Sequence, residues 1–375
     1  MDSSGKGKEL YIGIMSGTSM DGVDLVLADF SGALPKVVAA LGEPWPGDML
    51  PIMHRLCAPG ADELDTAGGL AVRISQVFAG GVTRLLNQAG IAPEEVTAIG
   101  SHGQTVRHRP GAGFSVQLGS GALLAELTGI DVICDFRAAD LAAGGQGAPL
   151  VPAFHSAVFR DPAKLRIIIN IGGIANISVL DHALPEVPGF DTGPGNTLMD
   201  HTVRRIWNEP WDRDALHARQ GQIRQDLLSR LLEHPYLAQP FPKSTGRETF
   251  SPAWLEEVLA TVSPAPAPED LLRTLCAFTA ETIGRAADQT AGGQEYEAYV
   301  CGGGAHNPLL MEELGRTMQG CVRLADTWAL GADPDYVEAL AFAWLAMRFT
   351  RRLPGNLPSA TGARRERILG CLYPR

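Results

Sequence analysis

The chain has 375 residues, a length typical of two domains, and its 45% apolar and 19% charged residues can form sizeable hydrophobic cores. This composition excludes an intrinsically disordered chain. The formal net charge of −11 argues against general binding to nucleic acid or to an anionic membrane, because both need a surplus of Lys and Arg.

Six cysteines are scattered along the chain, and none forms a CxxC pair. The first ten residues are polar and lack the apolar stretch of a secretory signal, and no apolar run approaches the ~18 residues of a membrane span. We therefore expect reduced thiols in a cytoplasmic protein rather than a disulfide framework or a zinc site. We expect neither a nucleic-acid nor a membrane partner.

The first half of the chain opens with two β-rich runs around a Gly/Ser/Thr/Asp turn, which is typical of a hairpin. Helical periodicity and short apolar strands follow, and then a small, Gly-rich stretch that is a candidate hinge. The predicted elements are hairpin strands at 10–15 and 23–29, helices near 71–89 and 121–129, strands at 98–99 and 132–134, and the hinge at 142–149.

The second half starts in a similar way, with a predicted strand at 165–171, a tight turn at Gly172 and Gly173, and a returning strand at 174–180. Two hairpins with glycine-rich turns suggest an internal duplication of architecture. Later helices are predicted near 270–291, 308–319 and 335–352. The last of these carries an apolar stripe at helical spacing, which is typical of a face that packs on a core.

The turn of the first hairpin, SGTSMDGVD (16–24), combines small residues, hydroxyls and two carboxylates. Glycine lets the backbone approach an anion closely, so that N–H and hydroxyl groups can donate to phosphate oxygens. The carboxylates of Asp21 and Asp24 are better suited to a cation or a water. The alternative is an ordinary hairpin turn, which favours the same residue types.

The segment GFDTGPGN (189–196) places Asp191 after a predicted strand end and before a rigid Gly-Pro-Gly turn and a predicted helix from Thr197. A helix N-terminus attracts anions, and an aspartate fixed at such an entry is suited to general-base catalysis. The alternative is that the Asp, Thr and Asn of this segment act only as capping residues.

Another glycine-rich segment, VCGGGAHN (300–307), predicts a strand that runs into three glycines and then a helix. This arrangement suits a nucleotide that lies against the backbone, although a tight strand–helix connection is the alternative. The segment is not GxGxxG, so the dinucleotide-binding interpretation is weak. The segment KSTG (243–246) lacks the order of a Walker A motif, and a P-loop is rejected.

Polar donors and an imidazole cluster in SHGQTVRH (101–108), just after a predicted strand. A histidine in this setting, here His102, is more often structural than catalytic. Farther along the chain, Arg137 is a candidate for bidentate binding of a carboxylate. The alternative for Arg137 is a surface or interdomain ion pair.

Taken together, these segments resemble the anhydro-N-acetylmuramic acid kinase family, which belongs to the sugar kinase/heat-shock chaperone/actin superfamily. The resemblance extends from about Tyr11 to Tyr373 and keeps the order of the family's motifs. The matching segments are MSGTSMDGVD (15–24), SHGQTV (101–106), the run from 122 to 155, NIGGIANIS (170–178), GFDTGPGN (189–196), PKSTGRE (242–248), CGGGAHN (301–307), DYVEALAFAWLA (335–346) and the closing LPGN and TGA segments.

The resemblance implies an α/β fold of two RNase H-like (actin-like ATPase) domains around a central cleft, each with a mixed five-stranded sheet and flanking helices. We expect an N-terminal domain over 1–140, completed by about 350–375, and a C-terminal domain over 141–349. The implied reaction uses ATP and Mg²⁺. Water opens the bridge of 1,6-anhydro-N-acetylmuramic acid and the 6-oxygen is phosphorylated, which gives N-acetylmuramic acid 6-phosphate and ADP in peptidoglycan recycling.

The resemblance also assigns roles to residues of this chain. Asp191 matches the general base that deprotonates the attacking water. Arg137, Gln104 and Glu338 are candidates for binding the sugar, and Arg137 is the candidate for its lactyl carboxylate. The metal ligands are not identified. The residues implied to bind ATP are Gly17, Thr18, Ser19, Met20, Asp21, Gly22, Val23 and Asp24 in the first turn, Gly172 and Gly173 in the second, and Gly302, Gly303, Gly304 and Asn307 on the adenosine side.

Two other interpretations remain open at this point. An ordinary hexosamine kinase of the same superfamily would use Asp191 to deprotonate a sugar hydroxyl instead of water. A nucleotide-regulated interaction module, like the actin and chaperone relatives, would need polymer contacts or a separate peptide-binding domain. The family resemblance also implies a homodimer.

Overall fold

The computed structural model describes residues 7–17, 20–184, 186–241, 243–246 and 249–375. The chain forms two compact units. The first unit consists of the chain up to Val158 together with Tyr336–Arg375, and the second consists of Phe159–Asp335. Within the described residues, no helix has the length and apolar character needed to cross a membrane.

The first unit is built on one mixed sheet with helices around it. Strands and helices are numbered in chain order. The strands are β1 (Leu10–Ser16), β2 (Val23–Asp29), β3 (Lys36–Glu43), β4 (Val96–Arg109), β5 (Phe114–Leu118), β6 (Val132–Cys134) and β12 (Cys371–Tyr373). The helices are α1 (Leu50–Leu56), α2 (Glu63–Ala89), α3 (Gly121–Thr128), α4 (Ala138–Ala142), α5 (Val151–Phe159), α11 (Val337–Thr350) and α12 (Pro358–Thr361).

The sheet of the first unit confirms the predicted opening hairpin, because β1 and β2 pair antiparallel from Leu10↔Asp29 to Met15↔Asp24. Strand β3 pairs antiparallel with β2, whereas β4 pairs parallel with β1 and β6 pairs parallel with β4. The strand order is β12-β6-β4-β1-β2-β3, with β5 paired to β4. The sheet therefore has seven strands: the five-stranded arrangement that was predicted, extended by β5 and β12.

Helix α2 illustrates how the sequence forms the flanking layer. Its apolar side chains at Leu70, Ile74, Phe78 and Val82 recur every four residues and are all buried, as expected for a helix with one face on a core. The helix ends at Gly90, which adopts the left-handed conformation with φ 64°. Glycine is suited to that position because it has no Cβ to clash.

Helix α11 packs directly on β1 and β4 and thereby belongs to the first unit. A Cβ on Gly13 of β1 would clash with the Ala339 carbonyl, and a Cβ on Gly100 of β4 would clash with the Phe342 carbonyl. These two glycines let the helix backbone approach the strands. The predicted apolar stripe of α11 is confirmed, since Val337, Leu340, Ala341, Trp344 and Leu345 are all buried.

The contact of α11 with the first sheet also bears on the predicted domain boundaries. From the sequence, the C-terminal domain was expected over 141–349. The structure divides the chain after Val158 and after Asp335. Helix α11 lies on β1 and β4, and Phe154 of α5 packs on Trp344 of α11 with ring centroids 6.1 Å apart. Both helices therefore fall on the side of the first unit.

The described part of the second unit contains five strands and five α-helices. Its strands are β7 (Arg166–Ile171), β8 (Ile174–Leu180), β9 (Gly189–Pro194), β10 (Tyr296–Cys301) and β11 (Cys321–Asp326). Its helices are α6 (Thr197–Trp207), α7 (Gln225–Leu232), α8 (Pro252–Leu259), α9 (Pro268–Ala291) and α10 (Pro308–Thr317). These bounds confirm the predicted second hairpin and the predicted helices near 270–291 and 308–319.

Both units share one strand topology. In the second sheet the order is β11-β10-β7-β8-β9, in which β7, β8 and β9 pair antiparallel while β10 and β11 continue from β7 in parallel. The first sheet repeats this pattern with β6, β4, β1, β2 and β3. The duplicated hairpins inferred from the sequence are thus part of two copies of an RNase H-like sheet, which confirms the predicted α/β fold class.

The Gly-rich stretch at 142–149 does not coincide with a division between the units, contrary to the hinge interpretation. It lies inside the first unit and is held by Asp140, which is fully buried. The Asp140 Oδ2 atom accepts a hydrogen bond of 2.8 Å from the Gly147 N–H. Its Oδ1 atom accepts from Asn356 Nδ2 at 2.6 Å and from the Thr361 hydroxyl at 2.7 Å.

We predict that Asp140→Asn destabilises the protein by roughly 3 kcal/mol. The new amide N–H₂ group would face one of the N–H or O–H groups that now donate to the carboxylate, and the remaining hydrogen bonds would no longer be made to a charged acceptor. The measurement is the free energy of unfolding in urea. The control is Asp65→Asn on exposed α2 surface, where we expect a change below about 1 kcal/mol. Equal effects of the two substitutions would contradict this role of Asp140.

Candidate active site

The turn of the first hairpin is anchored by Gln104, whose side chain is fully buried. The Ser16 hydroxyl donates to Gln104 Oε1 at 2.5 Å, and Gln104 Nε2 donates to the carbonyls of Gly17 at 3.3 Å and Thr105 at 3.2 Å. Both ends of the carboxamide are therefore engaged within the first unit. This side chain fixes the point at which the chain leaves β1 for the turn.

The predicted ATP-binding residues of this turn lie in different settings. Thr18 and Ser19 fall outside the described residues. Met20 has φ 58° and its N–H donates to the Gly17 carbonyl at 3.2 Å, which tightens the turn. The remaining residues are Asp21, which is exposed, Gly22, and the first two residues of β2, Val23 and Asp24.

Gly22 has a structural reason to be glycine, since a Cβ there would lie 2.7 Å from the Glu43 carbonyl oxygen. The turn is therefore packed against the end of β3. This contact restricts the turn from one side, and Gln104 restricts it at its start.

Arg137 connects this turn to the rest of the first unit through His102. Arg137 Nη2 lies 2.7 Å from His102 Nε2, and His102 Nδ1 lies 3.2 Å from the Ser16 carbonyl oxygen. Because a guanidinium only donates, Nε2 accepts and the proton resides on Nδ1, which donates to Ser16. Burial and the Arg137 charge lower the pKa of His102 to about 3. This geometry supports the structural interpretation of His102.

Arg137 also faces Glu338 in the first turn of α11. Burial lowers the pKa of Arg137 to about 10 against the opposing effect of Glu338, and burial raises the pKa of Glu338 against the effect of Arg137. Arg137 Nη1 donates to the Gly147 carbonyl at 2.6 Å. Its Nε atom is buried and has no hydrogen-bond partner among the described residues. Arg137 therefore retains a donor for a ligand.

The sequence-based placement of SHGQTVRH after a strand is wrong, because 101–108 lies inside β4. Ser101, His102 and Gln104 are buried strand residues. The side chains of His102 and Gln104 bond to Ser16, Gly17 and Arg137, as described above. The polar character of this segment thus reflects a buried strand that supports the turn after β1 rather than a loop.

In the second unit, Asp191 occupies β9 opposite Asn176 of β8. The sequence-based placement of Asp191 after a strand end is therefore wrong as well. Its Oδ2 atom accepts a hydrogen bond of 2.8 Å from the Thr245 N–H. Burial raises the pKa of Asp191 to about 6, although the Thr245 hydrogen bond acts in the opposite direction. A carboxylate with a pKa near 6 is ionised at neutral pH and can still accept a proton effectively.

Two side chains that the sequence analysis did not single out support the Asp191 backbone and its neighbouring loop. The Tyr236 hydroxyl donates to the Asp191 carbonyl at 2.7 Å, and the Asp191 N–H donates to the Lys243 carbonyl at 3.1 Å. Lys243 Nζ in turn donates to the carbonyls of Tyr236 and Leu237, each at 3.1 Å. The sequence pointed to this loop only through the KSTG segment (243–246), which resembles a P-loop superficially.

The turn that leads into α6 is held by backbone hydrogen bonds inside the second unit. The N–H groups of Gly195 and Thr197 donate to the Gly173 carbonyl, and the N–H of Asn196 donates to the Gly172 carbonyl. The Gly-Pro-Gly turn is thereby tied to the Gly172–Gly173 turn. Thr279 of α9 also donates to the Gly195 carbonyl at 3.0 Å.

The third glycine turn lies against the second one. Gly302 has φ 78°, and a Cβ there would lie 2.6 Å from Asn170 Oδ1. A Cβ on Gly304 would clash with the Ile171 side chain. Both glycines are thus required by packing. Asn307, the predicted adenosine-side residue, caps α10 by accepting from the N–H groups of Leu309 and Leu310.

Gly172 and Gly303 differ from these glycines. A Cβ on Gly172 would lie 3.8 Å from its nearest neighbour, the Ile174 carbonyl oxygen. A Cβ on Gly303 would lie 3.7 Å from its nearest neighbour, Asn196 Nδ2. Both are ordinary contact distances, and neither residue has a left-handed φ. Internal packing therefore does not require glycine at these two positions, whereas close approach of a ligand to the backbone would.

The described residues contain no group of three or more His, Cys, Asp or Glu side chains that could hold a metal ion. Mg²⁺ at a nucleotide site commonly uses only one or two carboxylates together with phosphate oxygens and waters. The exposed Asp21 fits that requirement, because its carboxylate is in the first turn and faces solvent.

Within each unit the structure thus groups the candidate residues. The first unit brings the first turn together with Gln104, and Arg137 together with Glu338. The second unit brings together the turns that contain Gly172, Gly195 and Gly302. Asp191 lies on β9, the strand that leads into the Gly195 turn.

The chain matches the family model for anhydro-N-acetylmuramic acid kinase over residues 9–375.

Two curated relatives that are similar to the chain carry the same name. The anhydro-N-acetylmuramic acid kinase of Shewanella baltica (strain OS223) is 52% identical over 362 residues, which cover 96% of this chain and 97% of the relative. The same-named protein of Shewanella oneidensis is 50% identical over 365 residues, or 97% of this chain and 98% of the relative.

Similarity to solved structures is much weaker. The activator of the 2-hydroxyisocaproyl-CoA dehydratase from Clostridium difficile with bound ADPNP has a TM-score of 0.48 and 14% identity, over 92% of this chain and 96% of that one. This similarity is too low to bear on function.

The family match and the relatives confirm the resemblance found in the sequence, and the chain belongs to the anhydro-N-acetylmuramic acid kinase family.

Proposed function

We propose that the protein opens the bridge of 1,6-anhydro-N-acetylmuramic acid with water and phosphorylates the freed 6-oxygen from ATP, giving N-acetylmuramic acid 6-phosphate and ADP for peptidoglycan recycling. The observation that carries the proposal is the Asp191 carboxylate, which is partly shielded from water and accepts a hydrogen bond from the Thr245 N–H. Membership of the family supports the choice of substrate.

The chemistry needs one ionised carboxylate, because neutral water is a weak nucleophile. Asp191 takes a proton from water as the water oxygen bonds to the anomeric carbon. The bond between that carbon and the 6-oxygen then breaks, and the 6-oxygen bonds to the γ-phosphorus of ATP as the bond to ADP breaks. The Thr245 N–H keeps one carboxylate oxygen in place, and the other oxygen is the one assigned to the proton.

Binding roles follow from the donors that the fold leaves available. In this proposal, the N–H groups of the first turn and of the Gly172–Gly173 turn donate to ATP phosphates, and the Gly302–Gly304 turn with Asn307 lies on the adenosine side. Mg²⁺ supplies positive charge that offsets charge on the phosphates, and Asp21 is its candidate ligand. Arg137 is the candidate for the lactyl carboxylate of the sugar, through the second N–H groups of Nη1 and Nη2 that its bonds to Gly147 and His102 leave over.

The sugar-binding roles of Gln104 and Glu338 differ in how the structure supports them. Glu338 faces Arg137, so it can orient the guanidinium and accept from a sugar hydroxyl. Gln104 uses both ends of its carboxamide inside the first unit. We therefore propose that Gln104 acts on the sugar through the turn it holds. A cytoplasmic homodimer remains part of the proposal, and light scattering of the purified protein tests its oligomeric state.

We predict that Asp191→Asn lowers kcat by roughly 10²–10⁴-fold, because the amide keeps the shape but cannot accept the proton. Calorimetric titration with ATP should give a Kd within about threefold of the unsubstituted protein. The matched control is Asp214→Asn, since Asp214 is exposed and has φ 55°, a conformation that Asn tolerates. Near-normal turnover of the Asp191 variant would remove this residue from the mechanism.

The pKa of Asp191 predicts a pH dependence. Since burial raises this pKa to about 6, the carboxyl is protonated below that pH and the base form is present above it. We expect kcat/KM to fall about tenfold per pH unit below pH 6 and to be level from about 7 to 8. A profile that stays level down to pH 4.5 would contradict the assignment of Asp191 as the base.

Substitution of the two sterically unconstrained glycines tests the nucleotide site. We predict that Gly172→Ala and Gly303→Ala raise the KM for ATP by about tenfold or more while Tm changes by only a few degrees, because the new methyl group meets ligand rather than protein. Gly304→Ala serves as the contrast and should lower Tm strongly, since Ile171 occupies that space. An unchanged KM in both variants would place ATP elsewhere.

A further inference from the structure

A pair of cysteines lies outside the residues used so far. The C-terminal strand β12 pairs antiparallel with β6, and its register sets Cys371 directly opposite Cys134. The neighbouring pairs are Leu372 with Ile133 and Tyr373 with Val132. Both cysteines are free thiols in the structure.

The pairing brings the two backbones within disulfide range. Residues directly opposite in an antiparallel pair have Cα atoms about 4.5 or 5.5 Å apart, depending on the type of pair. A disulfide spans Cα separations of about 4.4–6.8 Å. The Cα separation of either type of pair therefore lies within the range that a disulfide spans.

Both side chains also point to the same side of the sheet. A Cβ on Gly121 at the start of α3 would lie 3.0 Å from Cys134 Sγ and 2.5 Å from Tyr373 Cδ2. Cys134 and Tyr373 thus face α3. Because strand side chains alternate, Cys371 shares the face of Tyr373, two residues away. The two sulfur atoms consequently point toward the same space.

The strand β12 can make the small adjustment that bonding requires. It has three residues, all exposed, and lies at the edge of the sheet, where it pairs with β6 alone among the described strands. Such a short edge strand can shift by a few tenths of an ångström at little energetic cost. Cys371 is open to solvent, and Cys134 borders a cavity of about 300 Å³ together with Asp135 and Tyr373.

We propose that Cys134 and Cys371 form a reversible intramolecular disulfide when the protein meets a low-molecular-weight disulfide such as glutathione disulfide. The Cys371 thiolate attacks one sulfur of glutathione disulfide, and one glutathione thiolate leaves. Cys134 then loses its proton to solvent and attacks Cys371 Sγ, which releases the second glutathione. Two protein thiols are oxidised and one glutathione disulfide is reduced to two thiols, so atoms and electrons balance.

The order of these two steps follows from the surroundings of each thiol. Burial, followed by the charges of Asp135 and Cys371, raises the pKa of Cys134 to about 12. Cys134 is therefore a poor first nucleophile, and the exposed Cys371 reacts first. The ring-closing step depends on the Cys134 thiolate, so its rate should rise about tenfold per pH unit between pH 7 and 9.

The other cysteines do not share this arrangement. Cys276 and Cys301 are buried, and Cys321 of β11 lies opposite Tyr296 rather than a cysteine. Cys57 is exposed and follows α1. Cys57 is thus a control for an exposed thiol that lies outside the β6–β12 strand pair.

The test is incubation of the full-length protein with glutathione disulfide at pH 8, followed by alkylation of the remaining thiols and peptide mass mapping. We expect a peptide pair linked through Cys134 and Cys371 in the monomer, reversed by dithiothreitol. Cys134→Ser should instead accumulate a stable glutathione adduct on Cys371, whereas Cys57→Ser should leave the Cys134–Cys371 link unchanged.

Three results would overturn the proposal. The first is a glutathione adduct that persists on Cys371 of the unsubstituted protein, and the second is a link between two chains. The third is full alkylation of Cys134 and Cys371 after prolonged incubation. Because the primary measurement uses the unsubstituted protein, it does not depend on whether a variant folds.

Discussion

Partial shielding of one carboxylate from water is the constraint on which the proposed chemistry depends. Among the described residues, Thr245 supplies the one backbone hydrogen bond to the Asp191 carboxylate, and burial outweighs that bond enough to raise the pKa of Asp191 to about 6. A fully solvated aspartate would be a weaker base, and one with several N–H donors would be weaker still. The loop around Lys243 and the Tyr236 hydroxyl maintain this balance, since both are bonded to the Asp191 backbone.

The glycines of the glycine-rich turns are not all required for the same reason. At Gly302 and Gly304 a Cβ would clash with neighbouring protein atoms, so glycine is needed for packing. At Gly172 and Gly303 a Cβ would meet only ordinary contacts. Packing therefore does not explain glycine at these two positions, and the proposed nucleotide site supplies a reason for it. The sequence motif alone does not distinguish these two cases.

Much of the fold was predictable because its signals are local. Both hairpins, the helices α2, α3, α6, α9, α10 and α11, and the duplicated architecture follow from periodicity and turn residues over short windows. The length of strand β4 was underestimated, since its polar residues His102 and Gln104 interrupt the apolar pattern. Both side chains form hydrogen bonds with Ser16 at the end of β1, which the sequence does not show. Strand β12 was missed because three exposed residues leave no periodicity.

The candidate site was predictable in its residues but not in its physical environment. Asp191 could be identified from the family motif, yet Tyr236 and Thr245 contact it from 45 and 54 residues away. Its position within β9 required the register with β8. Likewise, Arg137 was a candidate carboxylate binder from the sequence, whereas its bond to His102 joins residues 35 positions apart.

The most direct measurement of the central claim is ADP release with ATP, Mg²⁺ and either 1,6-anhydro-N-acetylmuramic acid or its ring-opened form, with the phosphorylated product quantified in parallel. The account predicts one ADP and one N-acetylmuramic acid 6-phosphate per anhydro sugar consumed. Turnover with the ring-opened sugar alone would contradict it and would mean that Asp191 deprotonates a sugar hydroxyl instead of water.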